Sequence, residues 1–476
     1  MAAVGGALTI ASTGYGYHRD ELYFRMLRPA WGYVDQPPLT PLLARTFASI
    51  ADETWAMRIP ATLATVAAVY VVALITRELG GARFAQALCA WGFAFAALPL
   101  IGGHVMVTAA LDLPVWPTVL LFIIRAQLRS QPRWWLAAGA VGGVSVYNKL
   151  LVAVLLAALA AGFALVGPRT VFRSRWVLGG AFLALVIGLP NLLYQGTHHW
   201  PQFAMGRALA QHNAGEVRVL VVPFLAATLG PPLVPIWIAG IVALLRRPNW
   251  REVQFLAVAF PVLVALVIMM GAQFYYPSGL LAVLFAAGCV PVEGWLARRR
   301  TALGRALVAT GVAVNAAISS VLALPLIPLS ALGASPVPAI NQVAADSVGW
   351  PAYVAQIASA YAGLPLAERA RAVIVASNYG EAGAVERYGA RYRLPKVYSG
   401  QNQLYFEARP PDAATVVVFV GGQLHRARDL FASCREVTKL DNGIGVDNEE
   451  QDQPVAVCTA PLGGWAAVWP ALKHLD

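Results

Sequence analysis

The chain has 476 residues, of which 58% are hydrophobic and only 12% are charged. Soluble domains average about 45–50% apolar and about 25% charged residues, so this composition excludes an ordinary soluble protein and indicates one that crosses a membrane several times. The formal net charge of +11 would suit a nucleic-acid partner, but basic cytoplasmic loops explain it, and we expect no nucleic acid to bind.

Apolar segments follow one another from the N-terminus to about residue 325. Since a membrane helix needs roughly 20 apolar residues, the pattern predicts a polytopic α-helical membrane protein with about eleven transmembrane helices. The spans lie near 2–15, 58–76, 84–101, 114–127, 134–148, 150–167, 177–194, 218–245, 253–271, 277–296 and 306–324. The first is short and lacks a basic flank, so we expect a longer first helix that begins upstream of Met1.

The distribution of arginine predicts the orientation of the spans. Arginines cluster in alternate connections, near residues 77–83, 125–133, 169–175, 246–251 and 298–305, whereas residues 102–113 and 272–276 contain no Lys or Arg. By the positive-inside rule the arginine-rich connections are cytoplasmic. The loop 16–57, Asp112, Lys149 and the region after 325 are then extracytoplasmic, in a multi-pass protein of the plasma (inner) membrane.

The region 326–476 has a different pattern from the rest. Short β-branched runs bounded by polar turns, AVIVAS after Arg371 and TVVVFVGG after Ala414, predict buried strands. Helices are expected at Tyr379–Tyr392 and Leu424–Phe431. We therefore predict a membrane domain at 1–325, with the external loop 16–57, and an extracytoplasmic α/β domain at 326–476.

The four cysteines fall into two groups. Cys89 and Cys289 lie in apolar spans, where free cysteine packs as a small hydrophobic residue. Cys434 and Cys458 lie in the polar region and can pair as a disulfide if that region is outside the cytoplasm.

Charged residues are concentrated in the first long loop. Asp20, Glu21, Asp35 and Arg58 stand between two apolar segments, where acids are costly unless they face water, a partner or a substrate. Two amphipathic stripes, one from Leu22 to Ala30 and one from Leu39 to Ile50, predict helices that lie in the membrane interface or pack on the bundle.

The loop also resembles a known family. The run YHRDELYFRMLRPAWGYVDQPPLTPLLARTFASIADETWAMRIP resembles the first external loop of the GT-C type polyprenyl-phosphate-dependent glycosyltransferases, especially the protein mannosyltransferases and aminoarabinose transferases. NLLYQGTHHWPQF, at 191–203, is similar to the family's third external loop. The resemblance covers about 1–325. It implies a GT-C fold and an enzyme that transfers a sugar, with inversion, from a polyprenyl-phosphate donor to an extracytoplasmic lipid, glycan or protein acceptor.

The resemblance also implies catalytic acids. Asp20 and Glu21 match the family's Asp-Glu motif, with Asp20 as the base for the acceptor hydroxyl, and Asp112 matches the acid of the second external loop. Helix capping is the structural alternative for these acids, because acids at helix N-termini satisfy free backbone N–H groups.

Binding residues follow in the same way. Arg58 and Lys149 match cations expected to hold the donor phosphate, while Tyr275, Tyr276 and His199 match positions expected to contact substrate. Snorkelling of the lysine to headgroups and an interfacial aromatic belt are the alternatives.

Asp35 matches an acid that the family pattern implicates in substrate or metal binding. Gln36 stands where relatives have a lysine, which puts donor contacts at that position in doubt. A divalent metal ion is the one cofactor considered, and it would need ligands beyond Asp35.

Two other functions are compatible with a membrane protein of this kind. A lipid or sugar transporter would place charge along a path through the bundle, with broken helices near its middle. A membrane-anchored sensor would need a cytoplasmic output, for which the cytoplasmic loops are short. The external position of the acids favours the transferase.

Overall fold

A computed structural model describes residues 1–299 and 301–475, without the side chains of residues 212 and 213. Contacts divide the chain into two units. The membrane unit comprises Met1–Ala11, Gln36–Thr40 and Arg58–Leu324, and the C-terminal unit comprises Ser12–Asp35, Pro41–Met57 and Pro325–Asp476. Most of the first external loop therefore groups with the C-terminal region, whereas the sequence pattern had assigned it to the membrane domain.

The membrane unit is helical because long apolar runs satisfy their backbone groups internally. Its α-helices are Ala2–Ala11, Thr54–Glu78 (which begins in the other unit), Arg83–Ala94, Ala97–His104, Thr108–Leu128, Trp134–Ser145, Val152–Leu165, Arg175–Thr197, Pro201–Leu229, Val234–Arg246, Phe255–Met270, Ser278–Arg299 and Ala302–Ala323. Short 3₁₀ turns lie at Arg169–Arg173, Pro231–Leu233 and Pro248–Val253.

The prediction of a polytopic helical fold is confirmed, but the count of spans differs. Six described helices are long and apolar enough to cross a membrane, or up to eight if each of two bent pairs is one span. Ala2–Ala11 and Val152–Leu165 are apolar but short. Trp134–Ser145 has only 12 residues. The eleven predicted segments therefore lie in helices, but several of these helices are too short to cross a membrane.

One bent pair shows why hydropathy alone misses a break. The segments Ala214–Leu229 and Pro231–Arg246 meet at 83°. Gly230 has a φ of +98°, which favours glycine, and Pro231 has no N–H to continue the helix. The Asn315 amide donates to the carbonyl oxygen of Leu229 at 2.9 Å, so a backbone acceptor released by the break is satisfied.

Glycines allow two long helices to approach closely. Val234–Arg246 packs on Ser278–Arg299, where a methyl group on Gly288 would overlap the carbonyl oxygen of Ile236, and one on Gly240 that of Leu284. In a bilayer such small residues let helix backbones pack directly.

The C-terminal unit contains a five-stranded sheet of order β2-β1-β3-β5-β4. The strands are β1 (Ala372–Ala376), β2 (Val397–Ser399), β3 (Val416–Val420), β4 (Phe431–Lys439) and β5 (Pro454–Pro461). β1 runs parallel to β2 and β3, and β5 is antiparallel to β3 and β4. Both strands predicted from sequence are present, and they form the buried centre of the sheet.

The unit also contains helices, among them those of the first loop. Its helices are Arg19–Met26, Leu39–Ile50 (which begins in the membrane unit), Leu329–Leu332, Val337–Ile340, Gln342–Ala345, Trp350–Ala362, Leu366–Arg369, Tyr379–Tyr388, Leu404–Glu407, Leu424–Ala427 and Trp465–Ala471, with a 3₁₀ turn at Gly389–Tyr392. The predicted helix at Leu424–Phe431 is one turn only, Leu424–Ala427, and Phe431 already belongs to β4.

The cysteines are arranged as their positions indicated. Cys434 and Cys458 face each other on β4 and β5 and form a disulfide. Cys89 and Cys289 are free and buried.

Candidate active site

In the membrane unit, Asp112 and Lys149 lie side by side. The Nζ atom of Lys149 is 3.6 Å from Oδ2 of Asp112, and both side chains are mostly buried. Asp112 lies inside the helix Thr108–Leu128, whose N-cap is Val107, and not in the loop where the sequence placed it. Helix capping therefore does not explain this acid, and its carboxylate is available for a side-chain contact.

Asn148 fixes the geometry of this pair. Its amide nitrogen donates to Oδ1 of Asp112 and to the carbonyl oxygen of Thr108, both at 2.9 Å. Its amide oxygen accepts from the hydroxyl of Thr40. Because the amide joins three segments of the chain, it orients Asp112 and the turn that carries Lys149.

Two tyrosines complete the surroundings of Lys149. Its ammonium donates to the hydroxyl of Tyr275 at 3.3 Å. The same nitrogen lies 5.4 Å from the ring centroid of Tyr275 and 5.5 Å from that of Tyr276, within the range of a cation–π contact. The structure thus brings together four residues that were predicted separately: Asp112, Lys149, Tyr275 and Tyr276. In this cluster a cation and a phenol could contact an anionic oxygen.

Arg58 and His199 have different surroundings. Arg58 lies in the helix Thr54–Glu78 and is only 1% exposed, an unusual position for a guanidinium. His199 is exposed in the turn after the helix Arg175–Thr197 and has a φ of +60°. Their substrate contacts remain predictions.

In the C-terminal unit, Asp20 and Glu21 lie in the first turn of the helix Arg19–Met26. Glu21 is fully buried, and its carboxylate accepts from the backbone N–H of His18 at 2.8 Å as half of a capping box. The capping alternative therefore accounts for Glu21. Asp20 is half-buried and accepts a hydrogen bond at Oδ1 from the hydroxyl of Tyr379, at 2.9 Å.

Asp35 has a similar contact. Its Oδ1 atom accepts from the hydroxyl of Tyr23 at 3.1 Å. Burial, reinforced by the charge of Asp20, raises the pKa of Asp35 to about 7. The rings of Tyr23 and Tyr379 lie 4.7 Å apart. Two acids of the first loop are therefore held by two neighbouring phenols.

A group of buried charges lies next to Asp20. Arg19 is paired with Glu449, and its guanidinium lies 4.9 Å from the ring centroid of Tyr379. Burial raises the pKa of Asp346 to about 8 and that of Glu381 to about 8, and nearby acids add to both shifts. The charge of Arg19 opposes both shifts but does not cancel them, so the protonated forms of Asp346 and Glu381 are favoured at neutral pH.

The divalent metal ion considered for Asp35 stays a prediction. The described residues contain no group of three or more His, Cys, Asp and Glu side chains arranged to hold one. Asp35 is engaged with Tyr23.

Sequence reasoning missed Asn148, Tyr23 and Tyr379. The sequence did contain a signal for Asn148, because this amide stands directly beside Lys149 at the end of an apolar run. The structure shows that it is buried. Tyr379 had none, because it is separated from Asp20 by 359 positions along the chain.

The helical membrane unit, which holds the cluster around Lys149, and the small C-terminal sheet together define a polytopic membrane protein with a C-terminal α/β domain. The sequence profile described as dolichyl-phosphate-mannose-protein mannosyltransferase matches residues 35–194. No curated protein matches the chain.

Solved structures of ArnT from Cupriavidus metallidurans have the same fold over nearly the whole chain. The form bound to undecaprenyl phosphate gives a TM-score of 0.63 at 16% identity, covering 96% of this chain and 97% of ArnT. The apo form gives 0.61 at 14% identity, covering 96% of each chain. The predicted resemblance to the GT-C glycosyltransferases of the mannosyltransferase and ArnT kind is confirmed at the level of fold.

Proposed function

We propose that this protein is a membrane glycosyltransferase that transfers a sugar from a polyprenyl-phosphate donor to an acceptor. The observation that carries the proposal is the cluster of Lys149, Tyr275, Tyr276 and Asp112 within a fold shared with a protein solved bound to undecaprenyl phosphate. A buried cation with phenol neighbours suits the phosphate of such a lipid, because donors are strongest where water is excluded.

The reaction is a displacement at the anomeric carbon. The acceptor oxygen forms a bond to this carbon while the bond from the carbon to the phosphate oxygen breaks, and polyprenyl phosphate leaves. Attack from the face opposite the phosphate inverts the anomeric configuration. Lys149 and Arg58 stabilise the negative charge that develops on the leaving phosphate.

Asp20 acts as the base. It accepts the proton of the acceptor hydroxyl, which requires hydrogen-bond reach of that oxygen. Asp112, beside Lys149, assists in catalysis. If the acceptor is itself a phosphate, no proton needs to be removed and Asp20 positions the acceptor. Asp35, Tyr276 and His199 are assigned to substrate binding.

The same proposal includes an acceptor site on the extracytoplasmic face of the plasma (inner) membrane. Two observations support it. The arginine-rich connections alternate with connections that lack Lys and Arg. The disulfide between Cys434 and Cys458 is of a kind that persists in oxidising compartments.

The test uses purified protein in nanodiscs with a panel of radiolabelled polyprenyl-phosphate sugars. The panel is run with and without EDTA and beside two variants, Asp20→Asn and the control Asp429→Asn. Asp429 is an exposed acid of the C-terminal unit, so it reports the effect of the chemical change alone. NMR of the product gives its anomeric configuration.

We expect sugar release or transfer with at least one donor, a loss of about 100-fold or more in Asp20→Asn, and unchanged activity in Asp429→Asn. Loss of activity in EDTA would establish a metal requirement. Full activity of folded Asp20→Asn would overturn the role of Asp20. Silence of the folded wild type with every donor would overturn the transferase assignment and favour transport or sensing.

A further inference from the structure

A tyrosine of the C-terminal unit meets the acid that we propose as the base. The hydroxyl of Tyr379 donates to Oδ1 of Asp20 at 2.9 Å. Burial and the charge of Asp20 raise the pKa of Tyr379 well above its usual range, so the phenol keeps its proton and acts as a donor. The contact therefore has a fixed direction, from the phenol to the carboxylate.

The backbone of Tyr379 is held in place. Its N–H donates to Oε1 of the buried Gln401 at 2.6 Å. Asn378 caps the helix that begins at Tyr379, in a reciprocal capping box with Glu381. This helix directly follows the buried strand β1, so the phenol projects from an element that is held by the sheet.

The ring of Tyr379 is also held on its faces. The guanidinium of Arg19 lies 4.9 Å from its centroid, and the ring of Tyr23 lies 4.7 Å from it. Arg19 is itself fixed by its ion pair with Glu449. The hydroxyl is therefore presented to Asp20 with little freedom to move away.

Asp20 keeps the capacity for a substrate contact. An ionised carboxylate has about four acceptor positions on its two oxygens, and Tyr379 occupies one of them. The side chain is half-buried, not enclosed. The phenol can thus fix the carboxylate's rotation while another part of it meets an acceptor hydroxyl.

We propose that Tyr379 is a positioning residue for Asp20, through which the C-terminal α/β domain sets the orientation of the base. The inference rests on the proposed function. Its physical basis is that a small misplacement of a reacting group can cost up to about 100-fold in rate. It gives the C-terminal domain a part in catalysis that neither the fold nor the family profile assigns to it.

The test is Tyr379→Phe, which removes one oxygen and keeps the ring between Tyr23 and Arg19. We expect kcat to fall about 10–100-fold, while the KM for the lipid donor changes less than about twofold. Tyr388→Phe is the matched control, because Tyr388 ends the same helix and is half-buried as well. Both variants are compared per folded molecule, after size-exclusion chromatography.

The split between kcat and KM separates positioning from a merely structural role. A positioning residue acts on the chemical step, so its removal lowers kcat per folded molecule and leaves the KM for the lipid donor nearly unchanged. A residue that only supports the fold would lower the yield of folded protein and leave kcat per folded molecule unchanged.

A second variant covers the case in which Tyr379→Phe does not accumulate. O-methyltyrosine at position 379 keeps the ring and removes the donated proton, and should lower kcat about 10–100-fold as well. Unchanged kcat in folded variants would overturn the inference while the transferase stands. A wild type that is silent with every donor would overturn the proposed function first, and this inference with it.

Discussion

The ammonium of Lys149 lies 3.6 Å from Oδ2 of Asp112, whereas a charge-assisted hydrogen bond is about 2.7–2.9 Å long. The carboxylate receives a closer donor, the amide of Asn148, at 2.9 Å on its other oxygen. Asp112 is therefore satisfied without binding Lys149 tightly. The ammonium has three donors and can give one to an incoming anion while it remains near its carboxylate.

This geometry predicts that Lys149 acts on the leaving phosphate. Lys149→Met should lower kcat about 100–1,000-fold, the usual cost of removing one donor that stabilises developing charge. Lys396→Met, at an exposed lysine of the C-terminal unit, is the control. Release of polyprenyl phosphate under saturating donor is the measurement. A Lys149→Met enzyme with a normal kcat would leave the lysine as a headgroup anchor.

A second prediction concerns the contact of the first loop with the helix Tyr379–Tyr388. Arg25 donates two hydrogen bonds to Asp52, at 2.7 and 2.6 Å, and one to Glu386 at 2.8 Å. The arginine side chain is only 12% exposed, although both acids are partly exposed. Arg25→Met should therefore destabilise the protein by about 2 kcal/mol, the scale of hydrogen bonds to charged groups.

Arg28→Met is the natural comparison for Arg25→Met. Arg28 follows the same helix, but its side chain is 75% exposed and lies 3.4 Å from Glu407. Such surface pairs contribute about 0–1 kcal/mol. Denaturant unfolding in detergent should show a clear loss for Arg25→Met and almost none for Arg28→Met. Equal effects would mean that the network around Arg25 does not stabilise the loop.

The buried acids near Arg19 predict how stability varies with pH. Burial raises the pKa of Asp346 to about 8, and the charges of Glu450, Glu449 and Asp20 add to this while Arg19 opposes it. The carboxyl of an unfolded aspartate titrates near about 3.9. Below that pH the contribution to stability is fully present, and it is lost as pH rises through about 8, because the folded state holds the extra proton.

Asp346→Asn isolates this effect, since an amide does not titrate. Between pH 5 and pH 8 the wild type should lose stability more steeply than the variant, by up to about 1.4 kcal/mol per pH unit for each proton involved. Unfolding by denaturant at several pH values gives the slopes. Parallel slopes would show that Asp346 is ionised in the folded protein at neutral pH.

The sequence predicted what depends on local pattern. Apolar runs predicted the helical segments, and the β-branched runs predicted β1 and β3. These predictions succeed because the hydrophobic pattern of each segment depends on that segment alone. The sequence also named Asp112, Lys149, Tyr275 and Tyr276 as candidates, and the structure brings these four side chains together. It missed the break at Gly230, where hydropathy continues across a change in backbone direction.

The remaining site contacts could not be predicted, because they join distant parts of the chain. The contact between the rings of Tyr23 and Tyr379 depends on packing of the helix Arg19–Met26 on the helix Tyr379–Tyr388, which no short motif encodes. The capping role of Glu21 was predictable as an alternative, but choosing it required the position of His18.

A fourth prediction concerns packing in the membrane unit. Gly288→Val should disrupt the protein, because the added carbon would overlap the carbonyl oxygen of Ile236 and separate two helices. Gly311→Val is the control, since a methyl group at Gly311 in the helix Ala302–Ala323 would meet no atom within 4 Å. Thermal unfolding in detergent should show a large loss for the first and little change for the second. Similar melting curves would contradict close packing at Gly288.

The last prediction concerns the disulfide and the compartment of the C-terminal unit. Of the 4 cysteines, Cys89 and Cys289 are free, whereas Cys434 and Cys458 are paired. Denatured, unreduced protein taken from cells should therefore label at two cysteines, and reduced protein at all of them. Labelling of all four before reduction would show that this unit matures in a reducing compartment, against the proposed extracytoplasmic location.

The pair should also contribute to stability. Closing a loop with a sequence separation of 24 restricts the unfolded chain and is worth about 3 kcal/mol in the chain-entropy account. The double variant Cys434→Ala, Cys458→Ala should lose about this amount in denaturant unfolding, as should the wild type in reductant. Reductant should leave the double variant unchanged, because the other two cysteines are already free. A further loss on its reduction would place the stabilising bond elsewhere than between β4 and β5.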